Sequence, residues 1–262
     1  MFGGVGGTYP NTNANDVTVD DQGNAYVAGE TSSTQLPVSS GAYQTSGYGY
    51  VAKFDTTKTG SQSLVYATYI PGVGKAIGKD AQNNVYVASL KNDSPNDYKI
   101  IKLNSTGTAA LYAYQITDTN FFLNDIAVSA NGNAYFAQRF YSVDRLEIKG
   151  LSNDGSLIGK ISINESVSSA GGIAVGANDY IYVAGATYSR NFPVMADAYQ
   201  KQNRNFNSTP RQGFLVKVSF TKNPLIFVPG TMGSELYRKN ADGSIGAKYW
   251  ARWETVYFII RI

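Results

Sequence analysis

The chain has 262 residues, a formal charge of +3 and 16% charged residues. That length buries a substantial core, and so small a charge bias marks neither a nucleic-acid partner nor a charged tail. With no cysteine and no histidine, these residues complete no disulfide framework, no Ser-His-Asp triad and no His-ligated zinc site, so neither a cofactor nor a metal is expected.

The first ten residues, Met1 to Pro10, carry no basic residue and no long apolar run, which is not the pattern of a signal peptide. From Asp16 the chain repeats itself. Asp16-Val17-Thr18-Val19-Asp20 leads through Gln22-Gly23-Asn24 into Ala25-Tyr26-Val27-Ala28-Gly29. The alternation predicts half-buried strands, and Gly and Asn supply the left-handed positions of a tight hairpin. Asp20 to Asn24 has a superficial likeness to a calcium loop. It lacks the ligand spacing and terminal Glu of one, and is read as a turn.

The core returns as Val85-Tyr86-Val87-Ala88-Ser89, Ala134-Tyr135-Phe136-Ala137-Gln138 and Ile181-Tyr182-Val183-Ala184-Gly185. Tyr26, Tyr86, Tyr135 and Tyr182 are therefore spaced by 60, 49 and 47 residues, and are expected to pack within or between the repeats. The lead-in of the second copy, Ala76 to Asp80, is degenerate. A third strand follows in each copy, at Tyr50–Phe54, Lys99–Leu103, Arg145–Ile148 and Phe214–Val218. The first three copies then turn at Gly60, Gly107 and Gly155 into a fourth strand, at Leu64–Tyr69, Ala110–Gln115 and Leu157–Ile163. Four antiparallel strands in a repeat of this size predict an all-β β-propeller with about four blades, at residues 8–70, 71–118, 119–165 and 166–220. Copy four shows no fourth strand before Thr221-Lys222-Asn223-Pro224. An open arc or an irregular closure is expected, and an open arc exposes edges that favour association.

Copies one and four share an insertion. Leu36-Pro37-Val38 runs to Ala42-Tyr43-Gln44, and Phe192-Pro193-Val194 to Ala198-Tyr199-Gln200; a proline there predicts a loop between the second and third strands. Asp16 to Tyr69, with its Ala-Tyr-Val-Ala-Gly core and Tyr-Val-Ala-Lys-Phe strand, resembles the SBBP β-propeller repeat of bacterial secreted and surface proteins. Copy four matches well, while copies two and three match weakly and are equally NHL-like. The resemblance spans roughly residues 1–220 and implies an extracellular or cell-surface place. It says little about chemistry, since propellers host many functions. The long loops at 31–49 and 186–212, the latter with Arg190, Arg204 and Arg211, are the expected surfaces for a protein or glycan partner. No nucleic-acid partner is expected.

Residues 223–262 leave the repeat. The apolar run Leu225-Ile226-Phe227-Val228 ends in Pro229-Gly230-Thr231-Met232-Gly233-Ser234, with Trp250 and Trp253 downstream. This stretch resembles the opening strand and loop of the lecithin:cholesterol acyltransferase branch of α/β-hydrolases. The resemblance implies a backbone N–H of Thr231 as one oxyanion-hole donor, with Gly230 and Gly233 allowing the turn. Ser234 is not the nucleophile by this mapping. No Gly-X-Ser-X-Gly elbow and no histidine are present, so these residues would form an incomplete site. Lipid esters would be substrates only of a longer, complete hydrolase. Both ends look cut, and the longest apolar run, Val256 to Ile260, is too short to span a membrane. The expectation is thus a propeller scaffold or binding module of a secreted lipase- or acyltransferase-like parent. The alternatives are a non-enzymatic protein- or glycan-binding propeller, or a gene fragment without a role of its own.

Overall fold

The computed structural model describes residues 2–6, 11–91, 94, 97–194, 198 and 211–220, and the backbone of two further strands at 236–239 and 245–249. It is an all-β propeller of four blades. Blade one is β1 (Thr12–Val19), β2 (Ala25–Thr31), β3 (Gly49–Phe54) and β4 (Leu64–Ile70). Blade two is β5 (Val73–Lys79), β6 (Val85–Leu90), β7 (Tyr98–Leu103) and β8 (Ala110–Gln115). Blade three is β9 (Phe121–Val128), β10 (Ala134–Phe140), β11 (Arg145–Leu151) and β12 (Leu157–Ile163). Blade four has three strands among the described residues, β13 (Val167–Val175), β14 (Ile181–Thr187) and β15 (Gln212–Val218). Each sheet is an antiparallel meander in chain order, and the first strands of successive blades lie side by side. The degenerate lead-in of the second copy still forms a full inner strand, β5, because Ala76 and Ile77, next to its bulge, find apolar cover.

Period-two alternation gives each blade two faces. The leading face meets the preceding blade and the trailing face meets the following one. Three apolar clusters fill the three junctions. Tyr26, Ala28 and Val51 of blade one join Ile77, Val85, Val87, Ile101 and Leu103 of blade two. Ala88 and Ile100 of blade two join Ile126, Ala134 and Phe136 of blade three. Ala137 and Ile148 of blade three join Ile173, Val183 and Val216 of blade four. Each such aliphatic side chain, fully buried, contributes about 1.5–3 kcal/mol, so the junctions and not the hairpins hold the arc together.

Polar latches add direction to two junctions. Asn15 Nδ2 donates to the Gly74 carbonyl at 2.9 Å, and the Ile77 N–H donates to Asp16 Oδ2 at 2.8 Å. Blade three repeats the device on blade four: Asn124 Nδ2 to Ala170 O at 3.0 Å, and Ile173 N–H to Asp125 Oδ2 at 3.0 Å. Both Asn-Asp pairs sit where a β-bulge frees the inner strand's side chains to reach sideways.

Beyond blade four, β16 (Leu236–Lys239) and β17 (Ile245–Tyr249) pair as an antiparallel hairpin. Leu225 to Val228, Gly230, Thr231, Gly233 and Ser234, and with them the expected hydrolase-like strand and oxyanion loop, lie outside the described residues, as do Trp250 and Trp253. No helix among the described residues is long and apolar enough to cross a membrane.

Candidate functional site

A repeated polar feature grows from the first hairpin of blades one and two. In blade one, Asp20 closes the hairpin as an Asx turn, its Oδ1 accepting from the N–H groups of Gln22 and Asn24 at 3.1 and 2.9 Å. Its Oδ2 accepts from Tyr26 Oη at 3.0 Å and lies 3.4 Å from Lys53 Nζ. Tyr26 and Lys53 are direct cross-strand partners, so the ammonium also stands 4.8 Å over the tyrosine ring. Burial by itself would raise the Asp20 pKa, but the bonds from Asn24, Tyr26 and Lys53 outweigh it and hold the carboxyl far below the usual carboxylate range. The Tyr26 phenol is pushed up by burial and by that carboxylate.

Blade two repeats this with Asp80, Asn84, Tyr86 and Lys102, and extends it across the junction. Tyr86 Oη donates to the Gly132 carbonyl of blade three at 2.8 Å. Lys102 Nζ, with its side chain 4% exposed, donates to Asn153 O at 3.2 Å and also meets Asn153 Oδ1.

Blades three and four depart from the pattern. Ser129 and Gly150 stand where the aspartate and lysine would be, and Phe220 fills the vacated space: it stacks on Tyr135 at 5.8 Å and 13°, over Gly150 and Gly159. In blade four Gly176 replaces the aspartate, and Lys217 Nζ rests over the rings of Tyr180 and Tyr182 at 3.9 and 5.5 Å. Of the repeat tyrosines, Tyr26, Tyr86 and Tyr135 are buried and Tyr182 half-buried. They share equivalent positions in four separate blades and do not converge on one site.

Where the corners of blades two and three meet, a cleft of about 690 Å³ opens, lined by Gln82, Asn84, Lys102, Tyr112, Asn131 and Asn153 among others. Tyr112 is its aromatic wall. Its ring packs against Gly155, whose φ of +87° and absent side chain leave room for the close approach. Tyr112 Oη is buried and makes no hydrogen bond. Burial, then the charges of Asp154 and Asp80, push the phenol up, so it remains a neutral donor. Gln82, Asn131 and Asn153 stand at the rim. The arrangement offers carboxamide donors and acceptors, an aromatic face and the Asp154 carboxylate, beside the buried Lys102–Asp80 pair. Among the described residues no group of three or more acidic side chains is placed to hold a metal ion.

The two long loops differ from the cleft. Residues 31–49 are tied down: Leu36 and Val38 pack on the leading face of blade one. The Leu36 N–H donates to Tyr69 Oη at 2.8 Å, and that hydroxyl donates to Ser33 O at 2.8 Å. In the second loop Arg211 bonds Ser168 Oγ at 3.1 Å, and Arg204, Tyr199 and Gln200 lie outside the described residues. Residue reading passed over the cleft. The available signal was Asp six residues before Tyr in copies one and two, with Lys facing that Tyr from the third strand.

Comparison with known proteins agrees on the repeat. The model of the SBBP β-propeller repeat matches residues 5–37. No curated protein matches the chain. Solved structures with a similar arrangement include hydrazine synthase of Kuenenia stuttgartiensis, at 10% identity and TM-score 0.41 over 79% of this chain and 62% of that one. An apocarotenoid oxygenase variant of Synechocystis aligns at 14% identity and TM-score 0.39, over 78% of this chain and 46% of its own length. An inactive virginiamycin B lyase variant of Staphylococcus aureus with quinupristin aligns at 9% identity and TM-score 0.39, over 95% of this chain and 88% of its own. The chain thus spans less than two thirds of the length of the first two.

Proposed function

We propose that this chain is a non-catalytic binding scaffold whose ligand site is the cleft between blades two and three, and that its ligand is a neutral, hydroxyl-rich molecule of the saccharide class. The observation that carries the reading is the lining of the cleft: the rim carboxamides of Gln82, Asn131 and Asn153 beside a buried, unpartnered Tyr112 hydroxyl. Carboxamides donate to and accept from adjacent hydroxyls at once, and an unsatisfied buried phenol gains from any acceptor delivered to it. Lys102 supplies no free charge, because Asp80 and Asn153 already hold it, and the one carboxylate of the lining, Asp154, has Oδ1 accepting from Ser152 Oγ and the Ser156 N–H. The place of action that goes with this reading is extracellular or on the cell surface, following the resemblance to SBBP-repeat proteins.

The test is calorimetric titration against saccharides selected on a glycan array, with Asn131→Ala and Tyr112→Phe as variants of unchanged fold. Binding weakened about tenfold by either substitution, equivalent to about 1.4 kcal/mol, supports the reading. No saccharide bound, or binding that neither variant alters, overturns it.

A second reading rests on Leu225 to Leu236, whose Val-Pro-Gly-Thr-Met-Gly-Ser stretch resembles the acyltransferase opening. On that reading the propeller is the accessory module of a lipase- or acyltransferase-like parent, and the Thr231 N–H is one oxyanion donor. Hydrolysis of p-nitrophenyl acyl esters by a longer product of the same gene, and not by this chain, supports it. A longer product without activity removes it.

A further inference from the structure

One position on each blade face marks the junctions. On the leading face, Ile77, Ile126 and Ile173 are 4%, 4% and 8% exposed, whereas Val17, the same position in blade one, is 59% exposed. On the trailing face, Val51, Ile100 and Ile148 are all 0% exposed, whereas Leu215, the same position in blade four, is 44% exposed. In each junction the two marked residues belong to one apolar cluster: Val51 with Ile77, Ile100 with Ile126, Ile148 with Ile173. Blade one on its leading side and blade four on its trailing side thus meet no neighbouring blade among the described residues, and Val17, Val19 and Leu215 stay exposed there. Leu36, Val38 and Phe2 cover the β3 and β4 part of blade one's face, Phe2 packing on Tyr50 and Phe54 at 5.3 Å each, and leave Val17 and Val19 of β1 open.

We propose that a second copy of this chain covers these faces, blade four of one copy seating on blade one of the next. Charge supports the pairing as well as shape. In the junction of blades two and three, Lys102 and Tyr86 of the trailing face reach the turn at Asn153 and the hairpin at Gly132. In blade four the residue at the lysine position is Lys217, which has no carboxylate within ion-pair distance among the described residues. The corresponding turn and hairpin of blade one carry Asp55, paired with the exposed Lys58, and the exposed Asp21. The unanswered ammonium of one copy thus faces a net acidic corner on the next. Such a contact is heterologous, so it either closes a ring or extends as a filament. It is independent of any ligand in the cleft.

Because the chain has no cysteine, Val17→Cys and Leu215→Cys each introduce a single thiol at an exposed position. A short bismaleimide should join the two variants when mixed and leave each alone largely unjoined. The unsubstituted chain should sediment at twice the 28.3 kDa of one chain or more, and Val17→Glu should weaken association about tenfold or more while leaving the thermal midpoint of the isolated chain unchanged. A single-chain mass at every concentration overturns the proposal. So does cross-linking of either variant with itself to the same extent as in the mixture. So does a monomeric Leu215→Cys variant whose thiol is shielded from reagent, which would mean that residues 221–262 of the same chain cover the face.

Discussion

At the corner where the second strand leaves the first hairpin, blades one and two place Asp20, Tyr26 and Lys53, and Asp80, Tyr86 and Lys102. Blade three places Ser129, Tyr135 and Gly150 at the same corner and covers it with Phe220. The tyrosine is constant and what surrounds it is not. A buried acid and base are stable only as a pair, so losing one favours losing both. Once both are gone the space goes to an aromatic ring. Blades one and two thus hold this corner by an ion pair, and blade three by stacking. The polar cleft opens where the charged blade-two corner runs over onto Asn153 and Gly132 of blade three.

The largest way to break that difference is Asp80→Ala. It strands the Lys102 ammonium, 4% exposed, and should cost about 3–5 kcal/mol in urea unfolding. Ser129→Ala at the matching corner of blade three removes only the weak acceptor for the Asn133 N–H at 3.2 Å and should cost about 1 kcal/mol. Equal losses would mean that the charged corner has no special weight.

Phe220→Ala probes the stacked corner. It empties the space over Tyr135, Gly150 and Gly159, and since Phe220 is only half-buried the loss should be about 2 kcal/mol, below the roughly 3–5 kcal/mol of a full core phenylalanine. Hydrogen exchange should quicken in blades three and four and not in blade one. Smaller again is Asp16→Ala, which leaves the Ile77 N–H without its acceptor and should cost about 1–2 kcal/mol. Blade two, with Ala76 at that position, makes no such latch; Ala76 is 1% exposed in an apolar cluster, so Ala76→Asp should destabilise the chain.

Acid should weaken blades one and three, since Asp20 belongs to blade one and Asp118 pairs with Lys149 of blade three. Asp20 and Asp118 both have folded pKa values below the ordinary 3.8. Their stabilisation is therefore complete above about pH 4 and is lost as pH falls through the lower, folded values. Asp20→Asn should flatten the acid limb of a stability–pH curve at a cost near neutral pH. An unchanged limb would show that Asp20 gains nothing from Tyr26 and Lys53.

The strands were readable because each is a short period-two pattern closed by Gly or Asn, and a Tyr-centred core recurs in all four copies. The four blades were readable from the four copies, and blade four shows three strands among the described residues. The corner clusters were not, because Tyr26 and Lys53 lie far apart in the chain and only strand register sets them opposite. The Phe220 stack was hidden for a related reason: its target is in another blade. The cleft depends on how two blades meet, and no pattern within one copy encodes that. The loop at 31–49 looked like a free surface, yet Leu36 and Tyr69 anchor it. Its Leu-Pro-Val sequence is apolar because it packs.

The most direct measurement is an amide-proton NMR titration of this chain with a bound saccharide, following side-chain carboxamide signals. The account predicts that the signals of Gln82, Asn131 and Asn153 shift together while those of Gln35 and Gln44 in the 31–49 loop stay still. Shifts confined to that loop, or to the 186–212 loop, with the three cleft carboxamides unmoved, would contradict it.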